Sequence, residues 1–455
     1  MSCSLKVLML ELNELSPPLL EKFMAAGDLP NFTKLYNSSV VRTTHASEEP
    51  PFLEPWIQWP TIHFGVGRDE HRAFHLGDGR RFEGAGLART LSDSGVRVGV
   101  FGSMNLNYDR LNGYYVPDAW DAQGQAYPKE LRTFASFVAR QVRESSRDGA
   151  KIGLSDAFAF VSFLLRNGLR FGTLCSIGKQ LIFERFRANT RWKRALLQDS
   201  ISYDVFESIN SKYRVEFATF FSNSVAHFQH YHWRDMAPEV FDHPLEDGTD
   251  FSHRDAIRQG YISNDRVVGR VLRSYPKATI IFATGLSQQP WTDTAKCVYR
   301  PRDFEKLLNF ARISGAHAEP VMAEDFRVVG GDPIAIKEAL LSLRSDGEAI
   351  MRAAVIEGGV QSGCAVFDGD ARHLDRIVTG PAGSMRFGEL FYRLSAMRSG
   401  RHHPEGALWI RDGSPHRVET DFIALESIAP MILNMFSVAI KRPFPDTAER
   451  SIPVA

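Results

Sequence analysis

The sequence has little cysteine: four residues in 455, at positions 3, 175, 297 and 364, with no Cys-x-x-Cys pair. That spacing builds neither a zinc ribbon nor a disulfide framework, so the four are expected as reduced, mostly buried thiols. Excess charge is also lacking. Lys plus Arg and Asp plus Glu each number 54, so there is no global attraction to nucleic acid or to a membrane. No apolar run reaches the ~18 residues of a spanning helix; the longest, Ala157 to Leu165 with one serine, stops at Arg166. Met1 to Lys6 lead straight into an apolar strand without a small-residue cleavage site, so no secretory signal is read. These absences lead to the expectation of a cytoplasmic chain. Repeats and low-complexity tracts are missing too. What is present is 44% hydrophobic residues, 24% charged residues and 32 phenylalanines, the composition of a globular protein with a large aromatic core. At about 150 residues per domain, the length fits roughly three domains, or one with insertions.

Leu5 to Leu10 reads as a short buried strand, followed by a loop and a helix with proline in its first turn. Residues 46 to 81, rich in Pro, Trp, His and Gly, read as a long ordered loop. A helix at about 84–94 and a strand at Val96 to Phe101 follow. Strand, helix, strand predicts a parallel sheet. From 128 to 214 the periodicity is helical. Within it, Phe183 to Arg187 and Arg191 to Arg194 form a basic amphipathic patch over about 183–197, either a solvated helix face or a contact with an anionic membrane surface. Strand signals return at Val215 to Phe221 and Thr279 to Ala283, with an amphipathic helix from Tyr261 to Ser274 between them. A mixed segment spans 301–395. A last strand (Gly406 to Ile410) and helix (Ile428 to Met435) close the chain. The expected fold is a three-layer α/β/α sandwich with a mostly parallel sheet. Its core comprises 1–127, 215–300 and 396–455, interrupted by a helical insertion (128–214) and an α+β lid (301–395).

Active sites of such sheets sit at the carboxyl ends of the strands. There the sequence offers Glu11, Asn13 and Glu14; then Asn223, His227, His230 and His232; then Thr284 and Ser287; and, before the last strand, His402 and His403. Imidazoles are the commonest metal ligands, but a His-x-x-His-x-His run is not a self-sufficient metal motif and equally fits satisfied or surface histidines.

The strand ends resemble the alkaline phosphatase superfamily, on its nucleotide pyrophosphatase/phosphodiesterase side. Val7 to Leu15 sits where that family has an apolar strand ending in Asp-Gly. Pro55 to His71, with Thr61, His63 and Gly65, is similar to its aromatic-rich loop ending in Thr-Gly. Gly95 to Ser103, Ala226 to Trp233, Tyr261 through Asp265 to Leu286, His402 to Gly406 and Ile428 to Leu433 resemble further family segments in the family's order. The resemblance implies two zinc-like ions clamping a phosphate or sulfate ester, with an in-line hydroxyl nucleophile.

Against that pattern Glu11 replaces the first-strand Asp, Ala226 replaces a ligand Asp, and Thr284-Gly285 replaces the Asp-His pair. The nucleophile position falls near Pro55 or Trp56, leaving Thr61 as the nearest hydroxyl. His230 and His402 remain. One ion, zinc or manganese, on Glu11, His230 and His402 is the expected limit; the alternative is no metal. Thr61 and His63 are the catalytic candidates, and Asn13, Asn223, His227, Thr284 and His403 are further cleft candidates. Three functions stay open: a divergent hydrolase of phosphate or sulfate esters acting on a small anionic substrate, a non-catalytic relative binding an anionic ligand or a partner, and a group transferase. No nucleic-acid partner is expected.

Overall fold

The structure is a computed structural model. It describes residues 5–50, 52–79, 86–121, 124–145, 154–241, 251–292, 299–321, 325–356, 358–366, 374–393 and 399–439. Among these, one nine-stranded sheet dominates. Its centre is β1 (Val7–Leu12), paired in parallel with β5 (Phe217–Ser222) on one side and β6 (Thr279–Ala283) on the other. Beyond β5 lie β3 (Val98–Phe101) and β4 (Gly113–Val116), also parallel. Beyond β6 the strand Glu405–Arg411 runs antiparallel and joins β6 to β2 (Val40–His45). Two short strands, Arg417–Val418 and Ile423–Ala424, complete that edge beside β2.

Both faces of the sheet are covered, and alternation along each strand shows how. Leu8, Leu10 and Leu12 of β1, Ala218 and Phe220 of β5, and Ile280 and Phe282 of β6 enter one core. Helices α1 (Pro17–Ala25) and α2 (Pro30–Tyr36) pack there, with helices 194–213, 224–236 and 256–274. Val7, Met9, Phe217, Ile281 and Ala283 enter a second core beneath α3 (Pro55–Phe64) and helices 86–93 and 428–435. A sheet buried on both faces reads as continuous apolar runs, which is why β1, β5 and β6 were legible in the sequence. This is the expected α/β/α sandwich.

Between β4 and β5 the described residues from 129 to 213 are mostly helical, and residues 299–391 carry antiparallel strands around a core of their own. Among the described residues no helix is long and apolar enough to cross a membrane. Cys364 is a buried thiol and Cys175 a half-buried one; Cys3 and Cys297, and the expectations attached to them, lie outside the described residues.

One expectation needs correction. The region read as a long loop contains α3, despite Pro60 in its interior. Pro55 occupies the first turn, where a missing N–H costs nothing. Pro60 cannot donate to the Trp56 carbonyl four residues back. That carbonyl instead accepts from Asn105 Nδ2 at 2.7 Å. The same Asn105 donates to His75 O and accepts from the N–H groups of Gly77 and Gly79. A side chain from after β3 thus repairs the helix and staples the following turn.

Candidate metal centre

Position along β1 decides which glutamate meets which histidine. Val7, Met9 and Glu11 share the face that packs under α3, so Glu11 is fully buried there and accepts from His63 Nε2 at 2.7 Å. The expectation that Glu11 would stand beside His230 and His402 is therefore replaced by a different placement. The carboxylate at the rim is Glu14, two residues past the strand end, with φ of +62°. Its backbone N–H bonds Thr284 O and its carbonyl accepts from Gln229 Nε2, while Tyr261 Oη holds the Gln229 amide. These bonds fix a backbone conformation that non-glycine residues rarely adopt.

Glu14 Oε2 lies 3.2 Å from His230 Nε2 and 3.3 Å from His402 Nε2. The two rings meet edge to face at 5.1 Å. His402 Nδ1 lies 3.4 Å from Glu54 Oε2, so this imidazole stands between two carboxylates. Asn13 Nδ2 donates to Glu14 Oε1 at 2.8 Å, and Gln288 Nε2 donates to Oε2. Burial pushes the Glu14 carboxyl up, but the charges of His402 and His230 and their hydrogen bonds outweigh it. The group is held well below the usual carboxylate range.

This donor set suits a divalent cation. A tetrahedral ion with bonds of about 2.0–2.2 Å spaces neighbouring donors about 3.3–3.6 Å apart, whereas direct charge-assisted hydrogen bonds run about 2.7–2.9 Å. The observed separations lie nearer the first spacing. A carboxylate behind a histidine, as Glu54 stands behind His402, is the usual outer support of a metal-bound imidazole. Glu14, His230 and His402 together form a group whose ligand atoms all lie within 4.8 Å of one another.

The remaining candidates are dispersed. Thr61 Oγ donates to the Ile57 carbonyl at 3.0 Å and faces His71 Nε2 at 3.0 Å. His71 Nδ1 accepts from the Ala73 N–H, so in the neutral ring Nε2 carries the proton and donates to Thr61. Thr61 is thus a buried structural hydroxyl within α3, not one facing Glu14. His63 is committed to Glu11. Asn13 accepts from Trp59 Nε1 and donates to Asn223 Oδ1, both at 2.7 Å. Thr284 Oγ accepts from Ala407 N–H, and His403 Nδ1 accepts from Glu405 N–H. His230 and His232, two apart on helix 224–236, point about 200° from each other, while His227 lies one turn before His230 on that helix. His227 is exposed, whereas His232 turns to Asp235 at 2.7 Å and stacks on His253 at 4.7 Å.

Sequence reasoning passed over Glu14 as a ligand, and Glu54 altogether. Glu54 precedes Pro55, the first residue of α3, and an acidic residue before a first-turn proline is a readable signal for a helix N-terminus at a site.

The molecule therefore presents a carboxylate–imidazole cluster at the carboxyl edge of a mostly parallel, doubly covered sheet. No protein-family model and no curated protein matches the sequence. Among solved structures the chain is similar to murine ectonucleotide pyrophosphatase/phosphodiesterase 5, in an inactive form in complex with AMP, with 7% identity, TM-score 0.45, and 96% of each chain covered. It is also similar to phosphonoacetate hydrolase from Sinorhizobium meliloti in complex with phosphonoformate, with 11% identity, TM-score 0.41, and 96% of this chain and 95% of that one covered. Both are members of the alkaline phosphatase superfamily, the family that the sequence resembles.

Proposed function

We propose that the protein is a hydrolase of small anionic esters, of phosphoric or sulfuric acid, built around one divalent cation site. The observation that carries this reading is the convergence of Glu14, His230 and His402 at donor–donor spacings suited to an ion. Zinc or manganese held there would supply Lewis acidity toward an ester oxygen. The chain's own groups do the rest. Glu54, partly exposed at the mouth, orients His402 and is placed to accept a proton from a water. Asn223 turns its side chain to Asn13 and does not cap helix 224–236. The positive end of that helix, beside Asn223 at the same rim, suits an anionic substrate group. Asn13 and Gln288 donate to the Glu14 carboxylate and aim it.

Elemental analysis of the purified chain, paired with a panel of aryl phosphate, phosphodiester and sulfate esters, tests the reading. The expected result is about one zinc or manganese per chain, lost in Glu14→Gln and His230→Ala together with hydrolysis. A second reading, a non-catalytic binder of anionic ligands, is favoured by one observation: Thr61, the nearest hydroxyl in the sequence, is bonded on both sides within α3. A metal-free chain inert toward the whole panel that still binds an anion would establish it.

A further inference from the structure

Helix 171–186 is built inside out. The residues it buries are Thr173 and Glu184. Those it exposes are Phe171, Leu174, Leu181, Ile182, Phe183 and Phe186, with Phe171 at 79% and Phe186 at 82% relative exposure. Glu184 is pinned inward by Arg194, whose Nε lies 3.0 and 2.9 Å from its two oxygens. The orientation is therefore enforced by a charge pair. The preceding helix 154–166 repeats the pattern more weakly. It buries Phe160, Phe163 and Leu164 in the sheet's core and exposes Phe158, Val161 and Leu165, which share one stripe. An apolar surface of this size marks an interaction site.

Charge identifies the occupant. Between 154 and 187 the sequence has two acids, Asp156 and Glu184, and five bases, Arg166, Arg170, Lys179, Arg185 and Arg187. Asp156 is paired with Arg140, and Glu184 with Arg194. All five bases are exposed. The surface thus offers apolar rings among cationic side chains, with its acids spent in internal pairs. Neither helix is long and apolar enough to cross a bilayer. A helix with aromatic and aliphatic side chains on one face and Lys and Arg beside them lies in the interface plane of an anionic membrane.

We infer that the helical pair 154–186 docks the protein on the surface of an anionic lipid bilayer, inserting Phe171, Leu181, Ile182, Phe183 and Phe186 among the acyl chains while Arg166, Lys179, Arg185 and Arg187 meet the headgroups. The test is co-sedimentation of the full chain with vesicles of phosphatidylcholine containing phosphatidylglycerol, against vesicles of phosphatidylcholine alone. Binding is expected to the first and to fall by roughly tenfold or more on the second. Ile182→Glu with Phe186→Glu, and separately Lys179→Gln with Arg185→Gln, should each weaken binding by at least about tenfold. These exposed positions leave the folded core intact, which an unchanged melting temperature verifies. Absence of binding to anionic vesicles overturns the inference. So does binding that the Glu substitutions leave unchanged, since charge alone would then account for it. A dimer in sedimentation velocity that the Glu substitutions dissociate, without vesicle binding, assigns the face to a second copy and also overturns it.

Discussion

Two neighbouring glutamates separate the structural from the chemical at the level of single side chains. Glu11 and Glu14 are three residues apart, and strand alternation sends the first under α3 to His63 while the second ends between His230 and His402. Glu54→Gln should weaken metal affinity or turnover by about 10–100-fold, the usual loss when the support behind a liganding histidine is removed; metal titration against an indicator measures it. Thr61→Val provides the contrast. It should cost about 1–2 kcal/mol in thermal stability, leaving the His71 Nε2 proton unmatched, with any hydrolysis retained within about threefold. A larger loss of turnover than of stability would return Thr61 to the chemistry.

The contrast also shows where sequence reading stops. His230 and His402 were legible because each falls in a segment that resembles a family motif, Ala226 to Trp233 and His402 to Gly406. Glu14 was not singled out, because both faces of β1 are apolar and the parity of Glu11 has no polar partner series to reveal it. The placing of His227, His230 and His232 on one helix was not read from the sequence, which marked them only as residues after the strand ending at Phe221. Thr284 is a strand-end residue in both readings, but its hydroxyl is used by the Ala407 N–H, a partner 123 positions away that no local pattern announces.

Among the elements, α3 depends most on distant help. Its Pro60 leaves a carbonyl that Asn105 satisfies, and Asn105 makes three further bonds to the turn at 75–79. Asn105→Ala should therefore destabilise by about 2–3 kcal/mol, the range for stranding buried backbone groups, read by calorimetry as a lower melting temperature. Because α3 carries Glu54 at its start, the same substitution should loosen His402, and metal affinity should fall with stability. Two other strands were missed in the sequence: β2, whose Arg42, Thr43 and Thr44 interrupt its apolar run, and β4, whose four residues are too short to mark a strand.

For the molecule as a whole, two buried groups pull the pH dependence of stability in opposite directions. Burial, then the nearby Arg68, lowers the His71 imidazole to about 4 from 6.5. The unfolded chain takes up that proton first, so this contribution is lost as pH falls from 6.5 toward 4. Burial raises the Asp118 carboxyl to about 7 from 3.8, against the Trp120 N–H bond that favours ionisation. Here the folded chain holds its proton longer, so the contribution is present at low pH and lost as pH rises from 3.8 toward 7. Urea midpoints measured across pH 4–7 should therefore show differences from wild type with opposite slopes in His71→Gln and Asp118→Asn. Parallel slopes would contradict both assignments.

Strand Glu405–Arg411 sits between β6 and β2, inside the sheet and not at its margin. A ribosome that has synthesised everything up to residue 395 has therefore delivered both halves of the sheet without the piece that joins them. It has delivered Glu14, Glu54 and His230, but not His402. Nascent chains from which only residues up to 395 have emerged should leave β2 open to protease and be unable to capture an ion, and both properties should change together once residue 411 has cleared the exit tunnel. Closure of the sheet and completion of the proposed Glu14–His230–His402 cluster are in this way a single late event of biogenesis.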